Sequence, residues 1–162
     1  MELAIISDTH LPRGARQLPE ACLTRLRAAD LIVHAGDLTR ISVLEELRSY
    51  GDVVAVHGNV DDAGVRAALP AVATVVADGA RISVVHDAGA ARGRLARMRA
   101  RFPDADAVIF GHSHVPLHER DADGFQIFNP GNPTDRRRAP AFTMGRAHAS
   151  AGAVSFELIV LG

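Results

Sequence analysis

Leu3-Ala4-Ile5-Ile6-Ser7-Asp8-Thr9-His10 is an apolar run that stops on a carboxylate and an imidazole, and this ending sets the reading of the chain. Four consecutive apolar residues suit a strand buried on both faces, the habit of parallel sheets covered by helices. The same design recurs downstream. Leu31–Val33 leads into His34-Ala35-Gly36-Asp37, Val53–Val56 into His57-Gly58-Asn59-Val60-Asp61, and Ala107–Phe110 into Gly111-His112-Ser113-His114. Helical spacing fills the intervals at Leu18–Ala29, Ile41–Tyr50, Asp62–Leu69 and Ala90–Phe102. Strand alternating with helix predicts β-α-β units and right-handed crossovers.

The helices carry their own punctuation. Ser42 and Glu45 have capping-box spacing near the start of Ile41–Tyr50, and Gly51 stops it. In Ala90–Phe102, Leu95, Met98 and Phe102 share one face. After Pro70 the pattern turns antiparallel. Thr74–Ala77 and Arg81–Val85 flank Asp78-Gly79, a strong hairpin signal. Val115–Arg120 pairs in the same way with Phe125–Phe128, and Ala141–His148 with Val154–Val160. The expectation is an α/β protein in which two mixed sheets pack face to face with helices outside, forming one domain over residues 1–162.

Composition narrows the function. Hydrophobic residues make up 48% of the chain and Trp is absent, so the core must be aliphatic. Eighteen basic residues, all Arg, face 19 acidic ones, and this balance supplies no field for drawing in nucleic acid. Cys22 is the only cysteine, which excludes an intramolecular disulfide; its apolar helical setting predicts packing rather than nucleophilic chemistry. No basic-plus-apolar leader opens the sequence and no stretch reaches membrane-spanning length, so a cytoplasmic protein without a membrane partner is expected.

The chemistry sits where the apolar runs end. Ligands of α/β sheets gather at the carboxyl ends of strands, so the tips carrying Asp8, Asp37, Asn59, His86 and His112 should meet in one crevice. Asp8 and His10 are two apart, which in extended backbone puts both side chains on one side; His112 and His114 repeat the spacing. Imidazole, carboxylate and amide donors suit manganese, iron, nickel or zinc. Gly36, Gly58 and Gly111 beside them keep the approach clear.

Asp8-x-His10, Gly36-Asp37, Gly58-Asn59 with Asp61, His86 and Gly111-His112-x-His114 together resemble the motif set of the calcineurin-like metallophosphoesterases. Gly58-Asn59-Val60-Asp61 and Asn129-Pro130-Gly131 are similar to those of the small bacterial and archaeal phosphodiesterase branch. The resemblance runs from Asp8 to about Pro133 and implies a four-layer α/β/β/α sandwich, the metallophosphoesterase fold. It further implies two divalent metal ions, manganese first, with nickel, iron or zinc as alternatives. Asp8, His10 and His114 would hold one ion, and Asn59, His86 and His112 the other, with Asp37 bridging. Asp37, Asn59 and Asp61 are then the catalytic candidates. Two divalent ions bring a formal +4, and two aspartates with a bridging hydroxide remove three, leaving a positive site for an anionic ester. That hydroxide would attack phosphorus in a phosphodiester or an activated phosphomonoester. The substrate class is thus a small phosphate ester; nucleic acid is not expected, and a homo-oligomer is left open. The same fold in some relatives serves assemblies without useful catalysis, which makes a metal-binding scaffold the alternative.

Three positions depart from the family pattern. Val60 stands where many relatives have a His able to protonate the leaving group. Asp61 is read as an N-cap of the following helix in preference to a proton donor. Asp87 replaces the usual Gly after His86, where it could crowd or tune the second ion, and Asn132 replaces the common Ser after Asn129-Pro130-Gly131. The remaining motif-like residues have structural readings: His34, His57 and His118 support the site or the core, and His148 lies on the surface. Arg92, Arg94, Arg97, Arg99 and Arg101 form the solvated face of a helix. Arg13 and Arg136-Arg137-Arg138 are read as solvated loops, with phosphate steering held open.

Overall fold

A computed structural model describes residues 1–162. Its elements run β1 (Glu2–Ile6), α1 (Glu20–Ala28), β2 (Leu31–His34), α2 (Ile41–Tyr50), β3 (Val53–Ala55), α3 (Ala63–Ala68), β4 (Val72–Ala77) and β5 (Ala80–Val85). They continue with α4 (Arg94–Arg101), β6 (Ala107–Ile109), β7 (Leu117–Arg120), β8 (Gln126–Asn129), β9 (Thr143–Ser150) and β10 (Ala153–Val160). One sheet has the order β10-β9-β1-β2-β3 and the other β4-β5-β6-β8-β7. Within each, three strands are mutually parallel, β1-β2-β3 and β5-β6-β8, and antiparallel strands complete the sheet.

The strand alternation shows how the layers form. Leu3 and Ile5 of β1 face the second sheet, packing with Ile82, Val84, Ile109 and Phe128. Ala4 and Ile6 face the other way, against Cys22 and Leu26 of α1 and Val43, Leu44 and Leu47 of α2. The second sheet turns Val85, Val108 and Ile127 toward Met98 of α4. Both faces of the central strands are therefore buried, which is why they read as unbroken apolar runs. The result is the expected α/β/β/α sandwich. No helix is long and apolar enough to cross a membrane.

The local signals fare unevenly. Asp78 and Gly79 both take positive φ, at 45° and 88°, the two-residue turn suited to a twisted hairpin. Asp78 also anchors the last hairpin, its carbonyl accepting from Gly152 N at 2.8 Å. Helix α2 occupies Ile41–Tyr50 as expected, but Arg40 is its N-cap and no side chain caps it, so the Ser42–Glu45 capping box does not form. The N-cap of α3 is Asp62, whose side chain accepts from Val65 N, and not Asp61. Helix α4 begins only at Arg94, because Gly93 before it is left-handed (φ 70°). Its arginines also work harder than a solvated face would. Arg94 donates to Gly89 O, Arg97 to Ala88 O and Ala90 O, and Arg99 to Pro103 O and Ala105 O.

Candidate metal centre

The parallel strands of both sheets deliver their carboxyl ends to one edge, where the connecting loops hold one another. Asp8 N donates to Gly36 O at 3.0 Å, Gly111 N to His86 O at 2.9 Å, and Asn129 Nδ2 to Gly111 O at 2.9 Å. Two glycines permit this closeness. A Cβ on Gly58 would overlap Asp37, lying 2.7 Å from its amide nitrogen, and one on Gly111 would overlap Ser7 and come within 2.7 Å of Asp8 Oδ2.

All seven sequence-derived ligand candidates meet at this edge. Asp8, His10 and His114 place one ligand atom each within 4.8 Å of one another, and so do Asp8, Asp37 and His86; all five are buried. Beside them, Asn59 Oδ1 lies 3.0 Å from His86 Nε2 and 3.1 Å from His112 Nδ1, and these two nitrogens are 3.3 Å apart. Asp37 Oδ2 stands between the two groups, 3.4 Å from His10 Nε2 and 3.2 Å from His86 Nε2. Asp8 Oδ1 lies 3.5 Å from His114 Nε2.

The backbone route to this arrangement differs from the expected one. Asp8, His10, Asp37, His112 and His114 have φ of 56°, 48°, 62°, 67° and 59°, so their backbone is left-handed and not extended. Each such non-glycine residue costs on the order of 1–3 kcal/mol, tolerable only where the surroundings impose it. Here hydrogen bonds between loops do so. His10 N donates to Asp37 O at 3.0 Å, and His112 N donates to both Asp8 carboxylate oxygens, at 3.2 and 3.0 Å.

Outer partners aim the candidate side chains. His86 Nδ1 faces Ala35 O at 2.8 Å and His114 Nδ1 faces Asp135 O at 3.2 Å. His114 Nδ1 also lies 2.8 Å from Asn132 Nδ2. With a proton on its Nδ1, the Nε2 lone pair of His86 points at the centre. Ser7 Oγ donates to Asp8 Oδ2 at 2.6 Å, and Asn132 Nδ2 donates to Asp8 O at 2.6 Å. No motif marked Ser7; Asn132 showed only as a departure from Ser. Asp61, buried, is a clasp between loops. Its Oδ2 accepts from Asp37 N at 3.0 Å and Gly58 N at 2.6 Å, and its Oδ1 from Thr39 N at 2.6 Å. Asp87 Oδ1 accepts from Gly89 N at 2.7 Å. Its Oδ2 lies 3.9 Å from His112 Nε2, the nitrogen opposite the cluster, and its side chain is 58% exposed.

Of the other histidines, His34 is fully buried between Thr9 Oγ1 and Gly36 N, and burial drives its pKa down to about 3. His118 bonds Gln126 Oε1 and packs edge-on to Phe128 and Phe156; His148 pairs with Glu2 at the surface. His57 Nδ1 is buried without a hydrogen-bond partner.

The electrostatics fit a cation. Without one, burial pushes the Asp8 carboxyl above its ordinary range, opposed by the charges of His86 and His114. Burial also acts upward on Asp37, but the imidazoles of His10 and His86 outweigh it and hold Asp37 well below the usual carboxylate range. Burial depresses His114 despite the nearby Asp8. His10 Nε2 is buried and makes no hydrogen bond. An orphaned imidazole nitrogen beside two desolvated carboxylates is the donor set that borderline divalent ions fill.

The model of the calcineurin-like phosphoesterase superfamily domain matches residues 1–152. The chain belongs to this family. It is 35% identical over 137 residues to a probable metallophosphoesterase of Methanothermobacter thermautotrophicus, covering 83% of this chain and 78% of that one. A probable metallophosphoesterase of Methanocaldococcus jannaschii is also 35% identical over 137 residues, covering 83% and 69%. Among solved structures, wild-type Vps29 of Entamoeba histolytica complexed with zinc superposes with a TM-score of 0.77 at 21% identity, covering 100% of both chains. That likeness shows the calcineurin-like fold across the whole chain.

Proposed function

We propose that this calcineurin-like phosphoesterase hydrolyses phosphodiesters, or phosphomonoesters with good leaving groups, using two divalent ions, manganese foremost. The observation that carries the reading is the convergence of Asp8, His10, Asp37, Asn59, His86, His112 and His114 around the unsatisfied His10 Nε2. Asp8, His10 and His114 would hold one ion, Asn59, His86 and His112 the other, with Asp37 between them. Bound divalent ions supply Lewis acidity toward phosphoryl oxygens and acidify a water for attack on phosphorus. The chain supplies placement. Asp37 Oδ1 is fixed by Val60 N at 2.9 Å, which leaves its Oδ2 aimed at the imidazoles. His112, 46% exposed, and the exposed Asn59 are the ligands that border solvent and so face incoming substrate.

Neither Val60 nor Asp61 offers a leaving-group proton. Val60 is exposed at the family's His position, and Asp61 spends both oxygens on backbone amides. A departing group that is stable as an anion suits this site, which favours aryl or phosphoryl leaving groups over simple alkoxides. The test is turnover of bis(p-nitrophenyl) phosphate and p-nitrophenyl phosphate by purified protein with manganese or nickel. We expect hydrolysis of the diester that chelation abolishes; metal-loaded protein inert toward both esters would overturn the reading.

Val60 also supports a second reading, a metal-binding interaction protein. Asp37→Asn separates the two, since an enzyme loses turnover while a scaffold retains its partner.

A further inference from the structure

Five of the arginines near the site are gathered in two loops, while Arg66 lies apart on α3 and donates to Asn59 O and Asp61 O, each at 2.9 Å. Residues 11–17 follow His10 and residues 133–138 follow Asn132; together they hold Arg13, Arg16, Arg136, Arg137 and Arg138 against one carboxylate, Asp135. Both loops are stapled to the ligand end. Thr134 Oγ1 donates to Thr9 O at 2.7 Å, Arg16 Nη2 to Asp135 Oδ2 at 3.0 Å, and Asp135 O faces His114 Nδ1 at 3.2 Å. Arg137, half exposed, lies 3.9 Å from Asp135 Oδ2. Arg13 and Arg138 are exposed and form no ion pair.

The excess positive charge is local. The whole chain carries a formal -1, and Arg94, Arg97 and Arg99 of α4 spend donors on carbonyls of their own flanking loops. Nothing in residues 11–17 or 133–138 balances the surplus beyond Asp135. We propose that these two loops form a second anion subsite beside His10 and His114, which selects phosphate esters bearing a further phosphate; this selectivity rests on the metal cluster acting as a phosphodiesterase. A small molecule fits better than a nucleic-acid strand. Strand binding uses stacking platforms; the chain has no Trp, its single Tyr, Tyr50, sits on α2 with its hydroxyl on Glu46, and none of its six Phe is exposed. Exposed guanidinium–phosphate attraction is screened over about 8 Å at physiological salt, so the preference should fade as salt rises.

The test uses a matched pair, thymidine 5′-(p-nitrophenyl phosphate) with and without a 3′-phosphate, on the wild type and on the triple variant Arg13→Gln, Arg137→Gln, Arg138→Gln. Arg16 and Arg136 stay, because Arg16 ties the loops and Arg136 bonds Pro140 O. The expected result is a kcat/KM about tenfold higher with the 3′-phosphate in the wild type, and a ratio near one in the variant. A wild-type ratio near one, or a ratio the variant leaves intact, overturns the subsite. If neither ester is turned over, the phosphodiesterase reading fails, and calorimetry of thymidine 3′,5′-bisphosphate against thymidine 5′-monophosphate tests the subsite alone. Tighter binding of the bisphosphate, lost in the variant, supports it; equal affinities overturn it. Affinity that keeps rising with oligodeoxynucleotide length also overturns it, in favour of a nucleic-acid surface.

Discussion

Replacing Asp61 by Asn probes the clasp that joins the loops carrying Asp37 and Asn59. The carboxylate accepts three backbone N–H groups, two at Oδ2 and one at Oδ1. An amide of the same shape has one acceptor oxygen. Turning that oxygen to the Oδ2 position keeps the bonds from Asp37 N and Gly58 N and sets the new NH2 group against Thr39 N. Turning it the other way loses two bonds, so the first orientation wins. One charge-assisted bond then disappears, worth about 1.5–3 kcal/mol, and the two survivors weaken as their acceptor loses its charge, by roughly 0.5 kcal/mol each. The expected loss of unfolding free energy is about 2.5–4 kcal/mol, read as a lower urea midpoint at unchanged m-value. Weaker metal binding should accompany it, because Asp37 and Asn59 lose their common anchor. Asp62→Ala, which removes only the α3 cap, should cost about 1 kcal/mol. An Asp61→Asn protein as stable as the wild type but lacking turnover would refute the clasp and return Asp61 to a chemical role.

Other consequences are equally open to measurement. His34 has a folded pKa of about 3 against 6.5 for the free side chain, so the unfolded chain takes up the proton first. Stability from this residue is full above pH 6.5 and falls toward pH 3, at up to roughly 1.4 kcal/mol per pH unit. His34→Gln should flatten that acid limb in urea titrations, and parallel slopes would contradict the assignment. Cys22 is fully buried and its thiol is pushed up to about 12 by burial, so thiol reagents should label it only after denaturation. Immediate labelling of the native protein would contradict its place on the buried face of α1. Val60→His restores an imidazole at an exposed position and should raise turnover of alkyl phosphodiesters by about 10²-fold while barely changing p-nitrophenyl esters. Equal gains on both would show that leaving-group protonation does not limit the native enzyme.

The sequence exposed the fold more fully than it exposed the site's backbone. The runs at Leu3–Ile6, Leu31–Val33 and Ala107–Phe110 were legible because burial on both faces demands apolar residues at consecutive positions. The candidate cluster was legible because few other residue types bind a divalent ion, and each candidate followed such a run. What stayed hidden depended on tertiary hydrogen bonds. The Asp8-x-His10 spacing suggested extended chain, yet Asp8 N and His10 N are held by Gly36 O and Asp37 O in left-handed backbone. Asp61 and Asp62 are adjacent carboxylates, and spacing alone could not say which one caps α3. The roles of Ser7 and Asn132 arise from loops that meet only in the fold, far apart along the chain.

The central claim is that two divalent ions lie in this cluster, and anomalous diffraction from crystals grown with manganese tests it most directly. The account predicts two peaks per chain about 3.5–4 Å apart, one within Asp8, His10 and His114 and one within Asn59, His86 and His112, with Asp37 between them. A single peak, or manganese held only at surface carboxylates, would contradict it.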